Sequence, residues 1–248
     1  MSLVAQTSTC DVPGEVAQTL VCEAPTHESQ TKVCATGILH GLKRRLARER
    51  RRRKVGRAYD MALEIARVIP KGSQVLDVGC GSGFIAHHLS AILGMNVSGI
   101  DAMDKTEAPI DYRRYDREHF PEPDNSFDAV LLCYVLHHAQ DAALVLKEVR
   151  RVLREGGLAI IYEDIPQSWW DKGVCRLHDR QWKDRTGPCT FRTDEDWCRV
   201  FGAFGFEIVN RRQLSRLRNL SHPVKRRMYL LSAVDNSLAS EKRRESLI

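Results

Sequence analysis

Val75-Leu-Asp-Val-Gly79-Cys-Gly81-Ser-Gly83-Phe84 is half strand and half turn. Its first residues are a short β-branched and leucine run, which reads as a buried strand, and Phe84–Leu93 beyond the glycines has helical spacing. A strand, a Gly-x-Gly-x-Gly turn and a helix make the first unit of an open α/β sheet, whose ligands sit outside the carboxyl ends of the strands. Gly79, Gly81 and Gly83 permit positive φ and a close backbone approach, with the helix amino terminus facing the ligand. This points to a nucleotide-like cofactor.

Spacing narrows the choice. A dinucleotide fingerprint requires G-x-G-x-x-G, and Phe84 holds the place of its third glycine. A nicotinamide oxidoreductase is therefore disfavoured. Asp77, at the strand end, would face a pyrophosphate badly and a cationic group well. Met95–Asp101 reads as the second strand and ends in an acid, about where a ribose-binding carboxylate belongs in such folds. A carboxylate there accepts two hydrogen bonds from adjacent ribose hydroxyls. Tyr112–Tyr115 is a third strand, followed by Asp116, and Ala129–Tyr134, with Cys133 near its end, is a fourth.

Gln140–Leu153 has an amphipathic helical pattern that closes at Gly156-Gly157, and Leu158–Tyr162 starts a fifth strand. V-L-D-V-G-C-G-S-G, the acid after strand three, N-S-F-D leading into strand four, and V-L-H-H followed by E-V-x-R-V-L-R-x-G-G carry a resemblance. They resemble the Rossmann-like S-adenosylmethionine-dependent methyltransferases, in the type 11 branch. The resemblance covers about Tyr59–Asp164 and is loose beyond. It implies an α/β, doubly wound, mostly parallel seven-stranded sheet with helices on both faces. Strand seven is then antiparallel, inserted between strands five and six. It also implies S-adenosylmethionine as cofactor, bearing a sulfonium and no phosphate, with Asp116 and Arg117 at its adenine. The expected cofactor residues are thus Asp77, Gly79, Gly81, Gly83, Asp101, Asp116, Arg117 and Cys133.

Methyl transfer from a sulfonium is an in-line displacement whose main requirement is alignment. A base is needed only where the acceptor loses a proton. His137 and His138, leaving strand four, are the candidate catalytic pair, and the sequence does not separate them. Glu163 and Asp164, ending strand five, are rivals.

The 248 residues suffice for one good-sized core, and no apolar run approaches a membrane span. With no signal or transit pattern at the start, the expectation is a cytoplasmic protein. The net charge of +6 is concentrated. Lys43–Arg57 holds ten basic residues against Glu49 alone, and Arg211–Arg227 adds seven with no acid. These patches are solvated surface, or they hold RNA or another polyanion. The eight cysteines form no C-x-x-C pair. Cys175, His178, Cys189 and Cys198 fit no common zinc spacing, so no metal is expected.

The chain divides into a polar leader over 1–40, expected to be disordered, a catalytic domain over 41–235 and a polar tail over 236–248. Within the domain, 42–69 reads as a basic helix. Residues 165–190 read as an irregular insertion covering the acceptor, with Trp169 and Trp170 either lining its pocket or forming a mini-core. Thr193 is a plausible cap for the helix that follows, and Gly205–Val209 and Arg227–Val234 read as strands six and seven. The function expected is methyl transfer to a small molecule. An RNA or protein methyltransferase and a non-catalytic cofactor-binding protein are the alternatives, and the oligomeric state is left open.

Overall fold

The computed structural model describes residues 27–216, 219 and 222–234, so most of the expected leader and the tail lie outside the described residues. The chain divides into two units, Met1–Arg50 and Arg51–Ile248. Helix α1 runs His27–Ile65, so its backbone begins well before the expected Leu42 and stops one turn short of Pro70. In the first unit every described side chain from His40 to Arg50 is exposed. In the second unit, Ala58, Ala62 and Ile65 of α1 are buried, as their helical spacing dictates.

Seven strands follow, β1 (Val75–Val78), β2 (Val97–Asp101), β3 (Asp111–Arg114), β4 (Phe127–Cys133), β5 (Leu153–Asp164), β6 (Phe206–Leu214) and β7 (Arg226–Ala233). They form one sheet in the order β3-β2-β1-β4-β5-β7-β6. The first five run parallel to one another, and β7 runs antiparallel between β5 and β6. The order reverses between β1 and β4, and a crevice opens there beyond their carboxyl ends.

Strands buried on both faces need apolar residues on both, and successive side chains go to opposite sides. Leu76, Val78, Val130, Leu132 and Ile161 face one core with α3 (Ala142–Val152) and α5 (Asp194–Ala203). Val75, Ala129, Leu131, Ile160 and Tyr162 face the other, with α1 and α2 (Phe84–Leu93). The starts of α3 and α5 have a local cause. Asp141 accepts from the Ala143 and Leu144 amides to cap α3, and Thr193 forms a reciprocal capping box with Asp196 at α5.

Two expectations are corrected. Residues 165–190 are not irregular, because α4 (Trp169–Thr186) occupies most of them, started by a capping box between Ser168 and Asp171. Strand β5 begins at Leu153 rather than Leu158. Its extra residues pair Leu153 with Phe127 across a bulge, and Gly156 turns the strand at φ 72°. Among the described residues, no helix is long and apolar enough to cross a membrane.

Candidate active site

The turn after β1 is fixed by its glycines. Gly79, Gly81 and Gly83 take φ of 66°, 57° and 76°. A Cβ on Gly79 would stand 2.6 Å from Val135, so that position requires glycine twice over. The amides of Gly79 and Cys80 donate to Ile100 O at 2.8 and 3.1 Å, tying the turn to β2. At the end of β2, Asp101 accepts from the Gly81 amide through Oδ2 and from the Met103 amide through Oδ1, at 2.8 and 2.7 Å. These contacts shape one side of a cleft of about 770 Å³, within the range of small-molecule sites.

Asp77 is the unusual group in that cleft. It is 1% exposed, and both carboxylate oxygens lack a hydrogen-bond partner. Burial, and next the charge of Asp101, push its carboxyl up to about 7. An unpaired buried acid costs stability unless something cationic meets it. The donor set therefore fits a ligand with a positive group and fits a pyrophosphate poorly.

The other expected cofactor residues gather here too. Gly79, Gly81, Asp101, Asp116, Arg117 and Cys133 line the cleft with Asp77, while Gly83 serves as the cap of α2 behind it. Asp116 spends Oδ1 on the Glu118 and His119 amides, at 2.8 and 2.9 Å, and those bonds lower its pKa. Arg117 holds φ 77°, and Tyr134, just past β4, holds φ 63°. Non-glycine residues in this region are strained, and such residues cluster at binding sites. The sequence reading missed Tyr134.

Beyond Tyr134 lies a second cavity of about 540 Å³, whose wall includes Arg57, Asp60, Met61, His137, His178 and Arg226. Tyr134 and His138 line both spaces. The structure thus separates the two histidines, since His138 faces both chambers and His137 only the second.

His137 is 1% exposed, and its Nδ1 lies 2.6 Å from Glu163 Oε2, while Glu163 Oε1 accepts from the Leu136 amide. Burial pulls the imidazole pKa down, but the Glu163 carboxylate outweighs it and the net direction is up. His138 has the opposite fate. Burial, then His137 and His178, lower it to about 3. Such an imidazole is neutral at pH 7 and a weak proton acceptor. Asp164, the other rival, is engaged by His222 Nε2 and Arg226 Nε, each at 2.8 Å.

Helix α4 supplies the outer wall. His178, Trp182 and Thr186 recur every four residues and turn toward His138. His178 Nε2 lies 3.1 Å from His138 Nε2, and Cys189 Sγ lies 3.3 Å from His138 Nδ1. Trp169 and Trp170 line neither of these two cavities and are 83% and 50% exposed, so they form no buried mini-core. Cys198 is apart on α5 beside Arg211, so the cysteine set considered from the sequence does not assemble. Among the described residues the potential ligands that converge are His137, His138 and His178.

Residues 76–161 match the family model described as a methyltransferase domain. The chain is 31% identical over 136 residues to a 2-methyl-6-phytyl-1,4-hydroquinone methyltransferase of Synechocystis, covering 46% of this chain and 41% of that one. It is 32% identical over 102 residues to a ubiquinone biosynthesis O-methyltransferase of Rhizobium rhizogenes, covering 37% and 41%. The chain thus spans about two fifths of the length of these curated relatives. A solved S-adenosylmethionine-dependent methyltransferase of Methanosarcina mazei shares the fold at a TM-score of 0.55 and 21% identity, over 68% of this chain and 96% of that one. Residues 76–161, built around the Gly79–Gly83 turn, are thus similar to a methyltransferase domain, and the chain shares the fold of that solved methyltransferase.

Proposed function

We propose that the protein transfers a methyl group from S-adenosylmethionine to a small-molecule acceptor. The observation that carries this reading is the pair of chambers sharing Tyr134 and His138 as a wall. A two-substrate displacement needs a donor site and an acceptor site that meet at one point. When bound, S-adenosylmethionine supplies a methyl carbon already activated by its sulfonium. Asp77 meets the cationic end of the cofactor, Asp101 the ribose, and Asp116 with the Arg117 backbone the adenine. The names of the relatives, a hydroquinone methyltransferase and an O-methyltransferase, support an acceptor of small-molecule size.

The acceptor occupies the second chamber, under α4. Its walls are mixed, with Met61, Val174 and Leu177 beside Asp60, Arg226 and the histidines. This suits a ring or chain with a polar reacting atom. His137 and His138 serve the acceptor side, and a proton leaving the acceptor does so at this histidine cluster. The free thiols Cys80, Cys133, Cys175, Cys189 and Cys198 suit a reducing cytoplasm.

The test is methyl transfer from radiolabelled cofactor across extract fractions sorted into small molecules, RNA and protein. Label in the small-molecule fraction is the expected result. Label in RNA or protein alone would move the acceptor to a macromolecule.

A further inference from the structure

We propose that His137, His138 and His178 together bind one divalent transition-metal ion of the zinc class at the wall of the second cavity. One nitrogen from each ring lies within 4.8 Å of the others. Imidazole nitrogens around such an ion stand about 2.0–2.1 Å from it, hence roughly 3.4 Å from one another in a tetrahedral set. His138 Nε2 and His178 Nε2 are already at 3.1 Å. The remaining separations are within 4.8 Å, close to that spacing.

The surroundings orient the rings as ligands are oriented. A metal-bound histidine commonly gives its second nitrogen to a carboxylate or another polar group, which fixes the ring and makes it a better donor. Glu163 holds His137 Nδ1 at 2.6 Å, leaving Nε2 as the ligand atom. Cys189 Sγ and Thr186 Oγ1 approach His138 Nδ1 at 3.3 and 3.4 Å, leaving its Nε2 free in turn. Phe191 stacks on the His137 ring at 4.9 Å, and Trp182 packs against His178, so neither ring is loose. All three histidines come from buried or half-buried positions in the cavity wall.

Three imidazoles leave an open coordination position, the arrangement of a reactive rather than a structural site. All three rings line the second cavity, so an ion they held would border it. A hydroxyl or thiol bound there would lose its proton more readily, because the cation stabilises the resulting anion. That step rests on the methyl-transfer reading, but the metal site itself does not. The competing account is a plain N–H···N hydrogen bond between His138 and His178, with no ion.

The experiment uses the full chain, stripped with a chelator and titrated with Co²⁺. Expected are one ion per chain, a visible ligand-field absorption band and displacement of that band by Zn²⁺. His178→Ala should lower Co²⁺ affinity at least 100-fold. Glu163→Gln, acting through the orientation of His137, should lower it about 10–100-fold. Far-ultraviolet circular dichroism and melting temperature report the fold independently of any cofactor. Absence of the band in the wild-type chain would overturn the site, as would an unchanged band in folded His178→Ala. Neither result bears on methyl transfer, which the label assay tests by itself.

Discussion

Asp101 Oδ2 accepts the Gly81 amide at 2.8 Å, so the β2 acid braces the turn as well as facing the cleft. Removing the carboxylate therefore loosens the turn and, on the proposed function, deletes an acceptor for the cofactor as well. Asp101→Ala should weaken cofactor binding by about 1.5–3 kcal/mol, the range for hydrogen bonds to a charged group. Asp101→Asn keeps one acceptor oxygen and should fall between. Calorimetry with the cofactor checks both. Unchanged affinity in Asp101→Ala would remove the ribose assignment.

Asp77 makes the cleft sensitive to pH. Its folded pKa of about 7 lies above the ordinary value of 3.8, so the native chain holds more protons between those values than the unfolded chain. Its contribution to stability is then present in acid and is lost as pH rises toward 7. A cationic ligand prefers the ionised acid, so cofactor affinity should rise between pH 6 and 8, by up to about tenfold per unit below the pKa. Asp77→Asn should bind weakly and without that slope. A slope that persists in Asp77→Asn would assign the titration to another group.

The parts legible in the sequence are those set by local chemistry. A turn that demands positive φ at Gly79, Gly81 and Gly83 demands glycine, and strands buried on both faces demand continuous apolar runs. Helix α4 escaped for a physical reason. Its inner positions Asp171, Cys175, His178, Trp182 and Thr186 are mostly polar or small, so apolar periodicity gives no signal. Ser168 and Asp171 do spell a capping box, which was the available clue. The meeting of His138 with His178 joins a turn and a helix forty residues apart, which no local pattern encodes.

The same helix decides the fate of the tryptophans. Trp169 and Trp170 contact each other edge to face at 6.1 Å, outside both cavities, and remain exposed. Replacing both by Ala should leave acceptor KM and cofactor affinity unchanged, and stability within about 0.5 kcal/mol per site. Trp197, fully buried and stacked on Phe201, is the contrast, and Trp197→Ala should cost about 3–5 kcal/mol. Thermal denaturation of both variants measures this. A large loss in the exposed pair would mean that another surface covers it.

The basic run separates a small acceptor from a nucleic acid. Arg51 and Lys54 pair with Glu107 at 3.1 and 3.0 Å, and Arg57 lines the second cavity, so part of the run already serves the domain. Arg44, Arg45 and Arg48 are exposed, and no aromatic residue interleaves the run to stack bases. If the run tracked a phosphate backbone, five or six contacts would make log K fall with log salt at a slope of roughly −4 to −5. A neutral small acceptor displaces no counterions and gives almost no slope. The expected result is a flat salt dependence for the true acceptor, with Arg44→Glu, Arg45→Glu and Arg48→Glu together leaving kcat/KM within a few-fold. A steep slope abolished by that triple reversal would instead make the run a polyanion contact and the acceptor a nucleic acid.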